Sequence, residues 1–549
     1  MNRHAAGAVV VAMTVLAAEV SSAGRYEDLT RWAAEGPTMS LESATFLGTP
    51  SAENAVAVVP LPDKSVVVAG NAYGPAFFAT MAPRILGKGS HSGAEPFTMQ
   101  KDRKVLKPYT PDMCGMLLVL TPDLRKVTQI TRFQWGVATI SAAALSQDRK
   151  ALILGGYCKP DALKDVVPAA RLKTYAQPAP EVPADGRRRT PPAAGPAPAY
   201  VMRLTLGGAP QAEWCWVMEG ATRVPEQLWQ DKLGNVFFAL DGFTQILADG
   251  SDLKKLTTKG NLAGQSGIRG FDPLDGGYFY GGDRNTHTGY QPWRQPFLYK
   301  CKPTGEKVWD LWGWDPKKCA CGGTGNGLCS DASIRDVQVA PNGDLIMIGW
   351  SDGGNSVFTR QPYNLDLGAA NATGPFTTWG MKVANSLAYV LRIDGKSHAQ
   401  TAWSYFIAYV PDTFADASHR GAPNGVSIDA LRVLGDGTVA LTGGAATGLI
   451  STPNAFYIHK GPGKYGGKFA AVLNQDFSQM LFSSYLPGYE SVTMAPVDGG
   501  VVVAGTARRD DGRTDQAPTP PPLKEALQSA FGGGQFDLHL MLLKSPRVP

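Results

Sequence analysis

The densest group of residues able to do chemistry is Cys301, Cys319, Cys321 and Cys329, with Trp309, Trp312 and Trp314 between the first two. Four thiolates can hold zinc, but the spacing C-x17-C-x-C-x7-C lacks the paired C-x2-C knuckles of structural zinc sites. No CxxCH is present to attach a haem covalently. In an exported chain, disulfides stapling a Gly-rich turn are the better reading. Cys319–Cys329 is the preferred pair and Cys114–Cys158 the second. With seven cysteines in all, at least one is left unpaired or intermolecular.

Two further groups carry polar chemistry. The stretch GGDRNTHTGYQPWRQP holds Asp283, Arg284, Asn285, His287, Tyr290, Trp293 and Arg294. Rings that stack on an apolar face, beside polar groups that set orientation, suit a sugar or a peptide. An ordinary packed loop accounts for the same residues. The other group is Glu226, Arg269, Arg335 and Asp429, which align at the starts of successive inner strands in the repeat described below, with Val56, Ser141 and Ser491 as their counterparts. Opposed charges around a mouth can grip a ligand or do acid–base work, and they can equally form a salt-bridge network between neighbours. There is no G-x-S-x-G elbow, Walker A loop or H-E-x-x-H pair. The sequence therefore leans away from catalysis and implies no metal or cofactor. A hydrolase or lyase acting through Glu226 and Asp429 is the alternative.

The elements that must position these residues repeat. An apolar strand, a turn rich in Asp, Asn or Gly, and a second apolar strand ending in Gly recur along the chain. Examples are AVAVVPLPDKSVVVAG (55–70), SIRDVQVAPNGDLIMIG (333–349) and SVTMAPVDGGVVVAG (491–505). Six such hairpins are followed by a second hairpin, such as MLLVLTPDLRKVTQITRF (116–133) or FAAVLNQDFSQMLFSSYL (469–486), and a seventh is not. FDLHLMLLK (536–544) and SATFLG (43–48) supply its missing strands. The expected fold is all-β: a seven-bladed β-propeller with four-stranded blades, closed by the N-terminal strand pairing with the C-terminal blade.

The phrases TFLG (45–48), TPNAF (452–456) and SSYLPG (483–488) resemble those of the secreted bacterial propeller-repeat proteins called SBBP repeats. That resemblance covers about 43–544. It implies the propeller and export, and no catalytic residue, because such a family is defined by its repeat.

Residues 1–23 read as a signal peptide: Arg3, an apolar run from Ala5 to Ala18, and Ser21-Ser22-Ala23 as a cleavage site. A lead-in (24–42), the propeller (43–544) with a Pro/Ala-rich insertion at 159–198, and a short tail (545–549) follow. After signal cleavage no transmembrane segment is expected, and the destination is secreted or periplasmic. A net charge of +5 over 549 residues gives no basic block for nucleic acid. The long connections all leave one face, between the second and third strands of a blade or between blades. Loops gathered on a rigid scaffold favour binding. The expected role is a binding or scaffold propeller that holds a protein or glycan of the cell envelope through that face. A purely structural envelope protein is a further alternative.

Overall fold

The computed structural model describes residues 38–73, 82–89, 92, 97–100, 103–106, 110, 112–176, 197–206, 210–221, 223–240, 243–256, 267–287, 292–311, 332–351, 387–406, 426–445, 449–458, 467–509 and 521–545. Seven antiparallel sheets form the blades, and the expected propeller is the fold. The inner strands are Ala52–Pro60, Ala142–Leu145, Trp229–Gln230, Gly267–Phe271, Ala332–Val339, Val426–Val433 and Tyr489–Val497.

Each inner strand turns into the second strand at a tight corner that needs a left-handed residue. Lys64, Arg149, Gly234, Gly276, Gly343, Gly437 and Gly499 occupy that corner in blades 1 to 7 with positive φ. A carboxylate or amide two residues back accepts a backbone N–H at several of these corners, as Asp63 does from Ser65 (3.0 Å) and Asp436 from Thr438 (2.9 Å). The Gly that ends the second strand has a packing cause. A β-carbon on Gly70, Gly156, Gly349 or Gly443 would overlap the carbonyl oxygen of Asn54, Thr139, Ser333 or Ser427, in or just before the inner strand beside it. In blades 2 and 5 the same carbonyl accepts a hydrogen bond from the third strand, from the Tyr200 hydroxyl (2.8 Å) and the Tyr389 hydroxyl (2.9 Å).

The core lies between blades, not within them. Leu540 and Leu542 of blade 7 meet Val66 and Val68 of blade 1. Leu117 and Phe133 of blade 1 meet Leu152 and Leu154 of blade 2. Blade 2 meets blade 3 through Ile153 and Val236, and blade 3 meets blade 4 through Phe237 and Tyr278. One cluster runs from Phe279 of blade 4 through Ile346 of blade 5 to Leu441 of blade 6. Ala470 of blade 6 and Met541 of blade 7 complete the ring. Fully burying one such large apolar side chain stabilises the fold by about 1.5–3 kcal/mol.

Blade 7 is built from both ends of the propeller. Tyr489–Val497, Gly500–Arg508 and Phe536–Lys544 pair in order, and Ser40–Leu47 pairs antiparallel to Phe536–Lys544, with Ser40 opposite Lys544 and Leu47 opposite Leu538. The closure read from 43–48 and 536–544 is the one observed.

The long connections do a job that the sequence did not reveal. Arg84–Leu86 pairs parallel to the outer strand of blade 1, and Leu172–Ala176 parallel to that of blade 2. In blade 6, Thr452 donates to Ser483 and Tyr485 to Tyr457 (3.1 and 3.2 Å). In blade 7, Ala44 donates to Lys524 and Phe46 to Gln528 (2.8 and 3.1 Å). Four outer strands thus have their open backbone edge covered by chain inserted between their own second and third strands, which removes a template for unwanted pairing.

One expected loop is a hairpin instead. The strands Tyr278–His287 and Pro292–Cys301 pair over their full length in blade 4. Polar residues in the outer half of this hairpin hid the strand period.

Candidate functional site

The inner strands enclose a central channel. A compartment of about 400 Å³ is walled by blades 1 to 6 and a second of about 250 Å³ by blades 1, 2, 6 and 7. Arg432, Ala57 and Ala143 line both. Where blades 1 and 2 present alanine to the channel, blades 5 and 6 present Asp336, Gln338 and Arg432.

Four of the seven aligned residues at the strand starts prove to be β-bulges. Val56, Arg269, Arg335 and Asp429 are each the extra residue of a bulge in an inner strand. In blade 7 the bulge falls on Glu490, one residue before the expected Ser491. A bulge re-aims its side chain and increases local twist. Arg335 and Asp429 stand 3.9 Å apart and about half exposed, and Lys468 donates to Asp429 at 3.0 Å. Glu490 faces Arg508 at 3.3 Å. Glu226 lines the larger channel compartment. The residues expected at one mouth therefore divide between a rim network (Arg335, Asp429) and the channel wall (Glu226).

Arg269 belongs to the seam between blades 4 and 5. Its Nε donates to the Gly281 carbonyl at 3.1 Å, and burial lowers its pKa while Asp283 and Asp336 pull it back up. Asp283 is 1% exposed, and neither of its carboxylate oxygens has a hydrogen-bond partner among the described residues. The residue opposite it, Pro296, has no N–H to offer. Asp283 is thus a buried strand carboxyl beside Arg269, where a loop residue was expected. Asp336 is also buried, and this raises its pKa to about 6 against the pull of Arg432 and of the Val337 and Leu431 N–H groups. The hydrogen bond to Leu431 ties blade 5 to blade 6. Gln338 does the same, donating to the Leu431 carbonyl (2.5 Å) and accepting from the Val433 N–H (3.1 Å).

Arg294 lies 5.0 Å over the Trp350 ring, joining blades 4 and 5. Arg284, His287 and Trp293 are placed as strand backbone only, and Tyr290 lies outside the described residues. Cys319, Cys321 and Cys329 lie outside them too. Cys114 and Cys158, the second expected pair, are free thiols here, both buried; burial pushes each up to about 12. They pack into different parts of the interior, Cys114 with blade 7 and Cys158 with blade 2. Cys215 and Cys301 are likewise free and buried.

Asp336, Gln338, Arg432 and Glu490 were missed. Their signal was present: charged or amide residues inside inner strands where blades 1 and 2 carry alanine.

No family model matches this sequence, and no curated protein does. Solved propellers align with it at low identity. The Dos1 propeller is 9% identical over 92% of this chain and 95% of its own, at a TM-score of 0.36. The Myceliophteria thermophila Cps50 (Swd1) propeller domain is 9% identical over 92% and 100%, at 0.39. The propeller domain of the Trilobed protease from Pyrococcus furiosus, with an open velcro topology, is 8% identical over 85% and 90%, at 0.32. At such scores the fold rests on the strand pairings above, and the resemblance to SBBP repeats gains no family match.

Proposed function

We propose that this chain is an exported binding propeller that holds a protein or glycan of the cell envelope on the face where its inner strands begin. The observation that supports this reading is the bulged rim. Arg335 and Asp429 are presented on rigid strands of adjacent blades, each nearly half exposed, at the same step of the repeat. Fixed charges on strands cost little to organise when a partner arrives. The opposite face consists of short turns whose carboxylates are spent on their own backbone.

The test is a crosslinking capture from native envelopes with three proteins: wild type, the rim variant Arg335→Glu/Asp429→Arg, and the opposite-face variant Lys64→Glu/Asp498→Lys. A partner kept by wild type and the Lys64 variant but lost by the rim variant supports the reading. Equal capture by all three, or loss only in the Lys64 variant, rejects it. Catalysis through Glu226 and Asp429 has no observation in its favour, since Asp429 is already engaged by Lys468 and Arg335.

A further inference from the structure

Most polar side chains of the channel are spent on holding blades together. Ser141 donates to the Pro225 carbonyl at 2.7 Å. Gln230 donates to Leu145 at 2.7 Å and accepts from the Gln147 N–H at 2.8 Å. Gln338 and Asp336 are tied to the backbone of blade 6. Three groups on the 400 Å³ compartment are not spent in this way. Arg432 makes a single hydrogen bond among the described residues, from Nη1 to the Leu431 carbonyl at 2.7 Å. The Glu226 and Gln227 side chains make none among the described residues.

The electrostatics leave Arg432 available. Its field reaches Asp336, which also feels Arg269, and no carboxylate comes within 4 Å of the Arg432 guanidinium among the described residues. A guanidinium has five N–H donors arranged to fit a carboxylate with two parallel bonds. On the blade 3 wall, the Glu226 carboxylate and the Gln227 amide oxygen are acceptors suited to an N–H or O–H donor. Trp229 and Phe271 supply apolar surface on the same compartment. The volume is within the range of small-molecule sites.

We propose that the channel binds a small organic acid that also carries a hydrogen-bond donor, an amino or hydroxy acid. Its carboxylate lies on Arg432 and its donor faces Glu226 and Gln227. This inference stands on the channel alone and does not require a partner on the rim.

The test is calorimetry on the full chain with L-alanine, L-lactate, propionate and L-alaninamide as probes. Saturable binding is expected for alanine and lactate. Propionate, which has no donor, should bind about tenfold more weakly, and alaninamide, which has no carboxylate, should not bind. Arg432→Gln should lose at least about tenfold in affinity for both acids. Glu226→Gln should weaken alanine more than lactate, because only alanine brings a positive charge. Should Arg432→Gln melt well below wild type, Arg432→Lys replaces it, keeping the charge but not the paired bonds, with the same loss expected. The proposal is overturned if no probe saturates wild type, if alaninamide binds as well as alanine, or if folded Arg432 variants bind at wild-type affinity.

Discussion

Blade 7 and blade 3 solve the same packing problem with very different means. Blade 7 has strands of eight or nine residues, drawn from both ends of the propeller, and inserted chain at 524–528 covers its edge. Blade 3 has strands of two to four residues: Trp229–Gln230, Val236–Ala239, Phe243–Ile246 and Leu253–Leu256. Only three residues, 240–242, separate its second strand from its third, too few to reach around to its outer edge. Blade 3 leans instead on rings from two blades: Phe237 and Phe243 stack at 5.5 Å and meet Phe271 and Tyr278 of blade 4 at 5.1 and 4.5 Å. Its outer strand carries Lys254 and Lys255, charges that discourage another strand from pairing. The contrast teaches that insertion length decides how a blade is protected: long connections wrap the edge, and short ones leave it to charge.

The largest expected effect is on closure. Deleting 536–549 removes a central strand of blade 7 and leaves Ser40–Leu47 cut off from the rest of the sheet. The loss should exceed the ~5–15 kcal/mol that holds a typical domain together. The protein should aggregate and lose its cooperative melt, read by size-exclusion chromatography and calorimetry. A soluble monomer with an unchanged melt would show that blade 7 is as dispensable as an edge.

Next in size is truncation in the two cores. Leu540→Ala, at a fully buried seam position, should cost about 2–5 kcal/mol in chemical denaturation. Leu256→Ala, on the partly exposed outer strand of blade 3, should cost less than half as much. Equal costs would erase the distinction between the two blades.

The seam at blade 7 also makes the protein sensitive to acid through His539. This ring is fully buried, accepts from the Tyr489 hydroxyl at Nδ1 (2.6 Å) and donates from Nε2 to the Pro522 carbonyl (3.0 Å). Burial lowers its pKa from 6.5 to about 3. The unfolded chain therefore takes up a proton that the fold refuses, so stability falls as pH drops from about 6.5 towards 3, by ~1.4 kcal/mol per unit. Glu53 acts in the opposite direction. Burial raises it from 4.5 to about 8 against the bonds from Thr49, so its contribution falls as pH rises through that window. His539→Gln should flatten the acid limb of a stability–pH curve, and Glu53→Gln the limb above pH 4.5. Unchanged slopes would place both groups in contact with water in solution.

The smallest expected effect on stability is at the open edge. Lys254→Val/Lys255→Val should shift the melt by less than about 0.5 kcal/mol, as surface changes usually do. Light scattering at rising concentration should nevertheless show self-association, with blade 3 as the template.

Much of this was legible because a propeller repeats its chemistry. The turns at Asp63, Asn342 and Asp498, the glycines at 70, 349 and 443, and the two orphan strands each follow from a rule applied seven times. What failed to show was whatever the repeat does not encode. The edge strands Arg84–Leu86 and Leu172–Ala176 sit inside insertions with no period. Asp283 read as a loop residue because a carboxylate is seldom buried in a strand, and only the fold placed Arg269 beside it. Glu490 was displaced by one residue because a bulge adds a residue that alternation alone does not count.

The register that joins residue 40 to residue 544 also dictates an order of events. Ser40–Leu47 leaves the ribosome before every other strand of the ring, and its partner Phe536–Lys544 after them all. Until Phe536–Lys544 arrives, this strand, with Ala44 and Phe46 destined for full burial, has nowhere native to go. Contacts of such long range form late, so a nearly complete ring persists for as long as the remainder takes to emerge. The feature that seals the finished protein is thus also its longest interval of vulnerability, when a chaperone would find its most persistent client strand.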